Sequence, residues 1–235
     1  MLEQNRSMEF PSSDDKDCGR DEQTACAADA FLNPFEEIAI HRHHLPHWQQ
    51  AHVWQFVTWR LADALPRQTL EEWNDEKDRW LQLHPPPWEE STKLEHQDRF
   101  TRRTEQWLDA GHGACLLRLP AAAVIVARAL RHFEGSRYEL GAFVIMPNHV
   151  HVLFQPKPLH SVSRIVSSWK SFTAKEINRL LGRNGTLWQE DYWDRMIRDE
   201  EHWEACRQYI LENPKDLPRD NFVLECGRPW NGERD

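Results

Sequence analysis

The stretch YELGAFVIMPNHVHVLF, residues 138 to 154, decides the fold. Two apolar runs, Tyr138 to Met146 and His149 to Phe154, are separated only by Pro147 and Asn148, residue types that favour tight turns. The pair therefore predicts an antiparallel hairpin with a short connection. Side chains alternate along a strand, so His149 and His151 project to one face while Val150 and Val152 project to the other. Two imidazoles on one face can share a first-row divalent metal ion and leave positions for water, a third protein group and a phosphate oxygen. The same spacing would also suit two histidines that line a half-buried surface.

Elements on either side of the hairpin follow from the same kind of reading. Upstream, Ala114 to Leu119 is a short apolar run that predicts a strand, and Pro120 opens a helix over Ala121 to Phe133, with a turn at Gly135 and Ser136. Downstream, Val162, Ile165, Val166, Trp169, Phe172, Ile177 and Leu180 recur at helical spacing within Ser161 to Leu181, a segment closed by Gly182. Trp193 to Arg198 predicts a last strand and Glu200 to Asn213 a last helix stopped by Pro214. Further upstream, Val53, Trp54, Phe56, Val57 and Trp59 suit a first strand. The order of these elements predicts an α+β fold: a ferredoxin-like antiparallel sheet with helices packed on one face.

Two regions differ in composition from this unit. Residues 1 to 32 carry eight acidic and three basic residues and few large apolar ones, which predicts a disordered acidic tail. Residues 67 to 109 carry eleven acidic and seven basic residues, with Leu70, Trp73, Lys77, Trp80 and Leu81 near helical spacing before Pro85-Pro86-Pro87, and predict a helical insertion. The expected organisation is thus one catalytic domain over 33 to 230 with an insertion at about 67 to 109, and a short tail at 231 to 235. These two stretches hold the entire excess behind the net charge of -9. Residues 157 to 198 hold eight basic and four acidic residues, so a basic face for nucleic acid is compatible with the acidic total.

Five scattered cysteines without a C-x-x-C pair argue against a disulfide framework and a thiolate zinc site. No apolar run approaches the roughly 20 residues of a membrane span, and the first 30 residues lack a secretory pattern, so a cytoplasmic location is expected. His41, His43, His44 and His47, interrupted by Pro46, read as a surface loop.

Tyr209 and Asn213 are four residues apart and share a face of the last helix. A phenol with a pKa of about 10 is a weak nucleophile until a metal or base activates it. An amide oxygen from Asn213 could complete a metal site, although a packing tyrosine and a helix-ending Asn-Pro would give the same pattern.

Taken together, these segments resemble a known family. Met146-Pro147-Asn148-His149-Val150-His151, Trp169-Lys170-Ser171-Phe172-Thr173, Leu187-Trp188-Gln189, Asp194-Arg195-Met196-Ile197-Arg198 and Tyr209-Ile210-Leu211-Glu212-Asn213-Pro214, with the upstream strand Phe56 to Pro66, resemble the HUH single-tyrosine transposases of the IS200-like type. The branch most similar is that of the REP-associated tyrosine transposases. The resemblance implies a divalent metal, Mg2+ or Mn2+, on His149, His151 and Asn213, and Tyr209 as the nucleophile that becomes linked to a 5′ phosphate of DNA. It further implies single-stranded DNA folded into hairpins or palindromic repeats as partner, with no membrane, and a monomer or a homodimer. Lys170, Lys175, Arg179, Arg183, Arg195 and Arg198 are the candidate DNA-binding residues, and Trp169, Trp188, Tyr192 and Trp193 could stack bases. Two other readings remain: a palindrome-binding protein with little or no transposition, and a hydrolase in which water attacks.

Overall fold

The computed structural model describes residues 30–36, 39–42, 46–85 and 88–227. The acidic stretch through residue 29 and the tail at 231 to 235 lie outside the described residues, as do Cys18, Cys26, His43 and His44.

A five-stranded sheet, antiparallel throughout, forms the centre of the molecule. Its strands are β3 (Gln55–Arg60), β4 (Tyr138–Ile145), β5 (His149–Pro156), β6 (Trp193–Met196) and β7 (Val223–Cys226), in the order β6-β3-β5-β4-β7. The expected hairpin is β4 and β5, joined at Pro147 and Asn148 by a connection closed through Met146 N–H donating to the His149 carbonyl at 2.9 Å. As the central strand, β5 is buried along its whole length. That explains its largely apolar composition, with His149, His151 and Gln155 as the polar interruptions.

The sheet is covered on both sides. On one face, Val57, Trp59, Phe143, Ile145, Val150, Val152 and Phe154 pack against α4 (Pro120–Arg131) and α5 (Val162–Leu180). The apolar stripe of α5 buries Val162, Ile165, Val166, Trp169 and Ile177, while the Ser161 hydroxyl caps its first turn by accepting from the Arg164 N–H. Trp169 stacks on Trp59 with ring centroids 5.8 Å apart. On the other face, Trp54, Phe56, Val144, Met146 and Leu153 pack against Trp203, Cys206 and Ile210 of α6 (Glu200–Glu212). The ferredoxin-like α+β class is as expected from the sequence. The single covered face is refined: it holds α4 and α5, whereas α6 lies across the face that carries the histidines.

The apolar run at 114 to 119 is not a strand. Gly113 and Cys115 both adopt positive φ, and residues Leu116–Arg118 form a 3-10 turn whose Leu117 is buried and donates its N–H to the Pro147 carbonyl at 3.1 Å. The neighbouring position beside β4 is taken by β7, a four-residue strand that sequence pattern did not reveal. The region of His41 and His47 is likewise a ladder rather than a loop, because β1 (Ala39–Arg42) pairs with β2 (Pro46–Gln49).

Between β3 and β4 the insertion forms α1 (Arg67–Leu83) and then a second helical run comprising α2 (Glu90–His96), a π-helical turn (Gln97–Arg102) and α3 (Arg103–Asp109). The two runs meet at Trp80 and Phe100, both buried, with ring centroids 5.7 Å apart. Glu76 of α1 accepts from Arg99 and Arg103, each at 2.8 Å. Leu108 and the partly buried Leu70 and Trp107 join the main core, so the insertion packs on the domain. No helix among the described residues is long and apolar enough to cross a membrane.

Candidate active site

The register of β3 against β5 places Thr58 opposite His151 and Arg60 opposite His149. Directly paired residues point to the same side of a sheet, so Phe56, Thr58, Arg60, His149 and His151 share the face crossed by α6. Both histidines are buried, at 1 % exposure, with ring centroids 4.7 Å apart.

Hydrogen bonds orient each ring. Asn148 Nδ2 donates to the His112 carbonyl at 3.1 Å, which leaves Asn148 Oδ1 to accept from His149 Nδ1 at 2.8 Å. An amide oxygen can only accept, so the proton of His149 sits on Nδ1 and the lone pair on Nε2. His151 Nδ1 lies 2.7 Å from Thr58 Oγ1, and donation to that hydroxyl oxygen gives the same tautomer. Anchoring one ring nitrogen in this way is how metal-binding histidines are commonly held. Burial pushes His149 down to about 3, and burial together with His149 pushes His151 well below its ordinary value. Both rings are neutral at pH 7, the form that ligates.

Tyr209 and Asn213 come from α6 and its C-cap. Asp199 caps the helix by accepting from His202 N–H at 2.7 Å, and Trp203, Cys206 and Ile210 fasten it to the sheet. Tyr209, on the neighbouring stripe, faces His151 with ring centroids 5.2 Å apart and Phe56 at 5.8 Å, edge-on to both. Asn213 contacts Asp109, whose carboxylate accepts from its amide, and Asp109 Oδ1 is 4.0 Å from His149 Nε2. The four residues His149, His151, Tyr209 and Asn213 therefore converge.

A divalent metal fits this donor set. His149 Nε2, His151 Nε2 and Asn213 Oδ1 are buried atoms with no hydrogen-bond partner among the described residues, and such atoms cost about 1–3 kcal/mol each when left unpaired. Among the described residues no group of three or more His, Cys, Asp or Glu side chains could hold a metal. A site here rests on two imidazoles and an amide oxygen, with positions left for water and phosphate.

Basic residues are placed less uniformly. Lys170 is turned back onto its own fold, donating to the carbonyls of Glu190 and Asp191, and burial lowers it to about 8. Lys175 and Arg179 are exposed on α5, where Arg179 pairs with Glu176, and Arg183 follows the helix. Arg195 lies over the Trp193 ring at 4.7 Å, and burial, with the charges of Arg195 and Arg198 beside it, depresses His202 on α6. These two therefore stand near the start of the tyrosine helix. Of the four aromatic candidates for base stacking, Trp169, Trp188 and Tyr192 are buried in the core; Trp193 is partly exposed.

Sequence reading missed the supporting residues. Thr58, Arg60 and Asn148 stand in the quoted motifs, but their roles emerge only with strand register. Arg60 is lowered to about 10 by burial alone, and its Nη1 has no hydrogen-bond partner among the described residues. A desolvated cation opposite His149 is suited to a phosphate.

Antiparallel sheet, paired imidazoles and a helix-borne tyrosine define a class of site suited to metal-assisted phosphodiester chemistry. Residues 126–213, from within α4 to the C-cap of α6, match the family described as Transposase IS200 like, in keeping with the resemblance read from the sequence. No curated protein matches the chain. Among solved structures, a REP-associated tyrosine transposase bound to a REP hairpin is similar at 15% identity, over 74% of this chain and 73% of that one, with a TM-score of 0.40. A candidate transposase from Deinococcus radiodurans R1 is also similar at 15% identity, over 68% of this chain and 89% of that one, with a TM-score of 0.28.

Proposed function

We propose that this protein cuts and rejoins single-stranded DNA at hairpins or palindromic repeats, with Tyr209 as nucleophile and His149, His151 and Asn213 as holders of Mg2+ or Mn2+. The observation that carries the reading is the tyrosine ring 5.2 Å from the ring of His151, beside buried imidazole nitrogens that lack hydrogen-bond partners among the described residues. The activity resides in the single unit spanning about 33 to 230, in the cytoplasm.

When bound, the metal would polarise phosphoryl oxygens and offset the charge that develops during attack. Asn148 and Thr58 hold the imidazoles in the ligating tautomer. The Tyr209 oxygen attacks phosphorus and loses its proton, the bond from phosphorus to the 3′ oxygen breaks, and that oxygen leaves as a 3′ hydroxyl after taking up a proton. A 5′ phosphotyrosine remains, and attack on it by another 3′ hydroxyl reverses the step and joins a new end. Arg60, half-buried opposite His149, would bind the phosphate. Arg195 and Arg198 would meet the DNA backbone near the start of α6, with Lys175, Arg179 and Arg183 farther along α5. Lys170 contributes by fixing the loop at Glu190 and Asp191.

Incubation with single-stranded hairpins from the DNA flanking its own gene, with Mn2+ or Mg2+, tests this reading. Expected is cleavage with a protein–DNA adduct that survives denaturation. Hairpin retention without cleavage would instead identify a palindrome-binding protein, and cleavage without adduct a hydrolase that uses water.

A further inference from the structure

The insertion reaches the candidate metal site. Its last residue, Asp109, accepts a hydrogen bond from the Asn213 amide on α6, and its Oδ1 stands 4.0 Å from His149 Nε2. That separation is too long for a hydrogen bond, so the carboxylate does not close off the imidazole. Because the amide nitrogen of Asn213 is the donor to Asp109, its Oδ1 is the atom left over, and this atom is buried without a hydrogen-bond partner among the described residues. Three residues farther on, the His112 carbonyl accepts from Asn148 Nδ2, and Asn148 Oδ1 in turn holds His149 Nδ1. One short segment, Asp109 to His112, thus touches the groups that orient two of the three donors. Its own position is secured by the Ala114 N–H donating to Asp63 Oδ2 at 2.8 Å and by Gly113, where a Cβ would sit 2.4 Å from the Asp63 carbonyl oxygen.

We propose that Asp109 is a positioning residue of the metal centre: by holding the amide nitrogen of Asn213, it presents the Asn213 oxygen, rather than its amino group, to an ion held by His149 and His151. The inference rests on the metal reading above and adds a role for the insertion, which thereby supplies part of the support for the site. Outer partners of metal ligands commonly influence affinity by 10–100-fold.

The test is Mn2+ binding to the full-length protein without DNA, followed by electron paramagnetic resonance of the free ion. Asp109→Ala is expected to weaken binding about tenfold. Asp109→Asn keeps an oxygen that can accept from Asn213 and is expected to stay within about threefold of wild type, a rescue that a role for charge alone would not give. Asp109 is 47 % exposed, so both variants should melt with the wild type. His149→Ala and His151→Ala, measured in parallel, separate the two levels of the argument. If they lose Mn2+ while Asp109→Ala binds as wild type, the positioning role is overturned and the metal site stands; if they too bind as wild type, both readings fall.

Discussion

The two faces of the sheet arrange their buried polar groups differently. Under α4 and α5 they are linked in a chain: Trp188 Nε1 donates to Thr173 Oγ1 at 2.9 Å, Thr173 donates to the Trp169 carbonyl at 2.6 Å, Trp169 Nε1 donates to Tyr138 Oη at 2.9 Å, and Tyr138 donates to the Leu130 carbonyl at 2.7 Å. On that face the Trp59 indole N–H and both side-chain amide atoms of Gln55 stand outside the chain, without a partner among the described residues. Under α6, by contrast, His149 Nε2, His151 Nε2, Asn213 Oδ1 and Arg60 Nη1 are left without hydrogen bonds to any described residue, around one location. A fold stabilised only by its own contacts gains nothing from such an arrangement. The difference is one of clustering: under α6 the leftover atoms lie together at the imidazole pair, the place proposed above for an ion and a phosphate.

Substitutions can break or sharpen this contrast, and the largest effect belongs to the open face. Tyr209→Phe keeps the ring contacts with Phe56 and His151; it should reduce adduct formation to background in a denaturing gel while changing stability by less than about 1 kcal/mol. On the closed face the result should invert. Phe154→Ala removes a fully buried ring and should cost about 3–5 kcal/mol in a urea melt, while the folded fraction still forms adduct. Arg60→Gln should slow cleavage by roughly a hundredfold with hairpin binding reduced less; equal rates for variant and wild type would remove Arg60 from the site.

Acid should also act chiefly through the open face. Above pH 6.5 the histidines are neutral in folded and unfolded chains alike. Below it the unfolded chain takes up protons that folded His149 refuses until about 3, so stability should fall as pH drops from about 6.5 toward about 3. Urea midpoints at pH 7, 5 and 4 check the sign, and a flat series would contradict the burial of these rings. The smallest effect is expected far from either face: Glu76→Ala breaks surface pairs to Arg99 and Arg103 and should cost under about 1 kcal/mol.

How much of this was legible in the sequence depends on the range of the interaction that decides each feature. The β4–β5 hairpin, α4, α5 and α6 follow from local periodicity and from Pro120, Ser161 and Pro214 at their ends. The common face of His149 and His151 follows from alternation alone, and that of Tyr209 and Asn213 from helical spacing. What brings the two pairs together is the crossing of α6 over the sheet, a tertiary fact signalled only through the family resemblance. Thr58 and Arg60 acquire their places from strand register, and Asp109 from where a 43-residue insertion, 67 to 109, happens to return. The run at 114 to 119 misled because burial of Leu117 in a turn looks, in composition, like burial in a strand. Trp188 and Tyr192 misled for a related reason: an aromatic beside basic residues can be base-stacking surface or core, and here both are core.

The most direct measurement is mass spectrometry of the tryptic peptide Gln208 to Lys215, which contains a single tyrosine, after reaction with a hairpin substrate, Mn2+ and nuclease trimming. Expected is this peptide carrying a 5′-phosphorylated nucleotide on Tyr209. Unmodified peptide alongside cleaved DNA, or a nucleotide on any other residue, would contradict it.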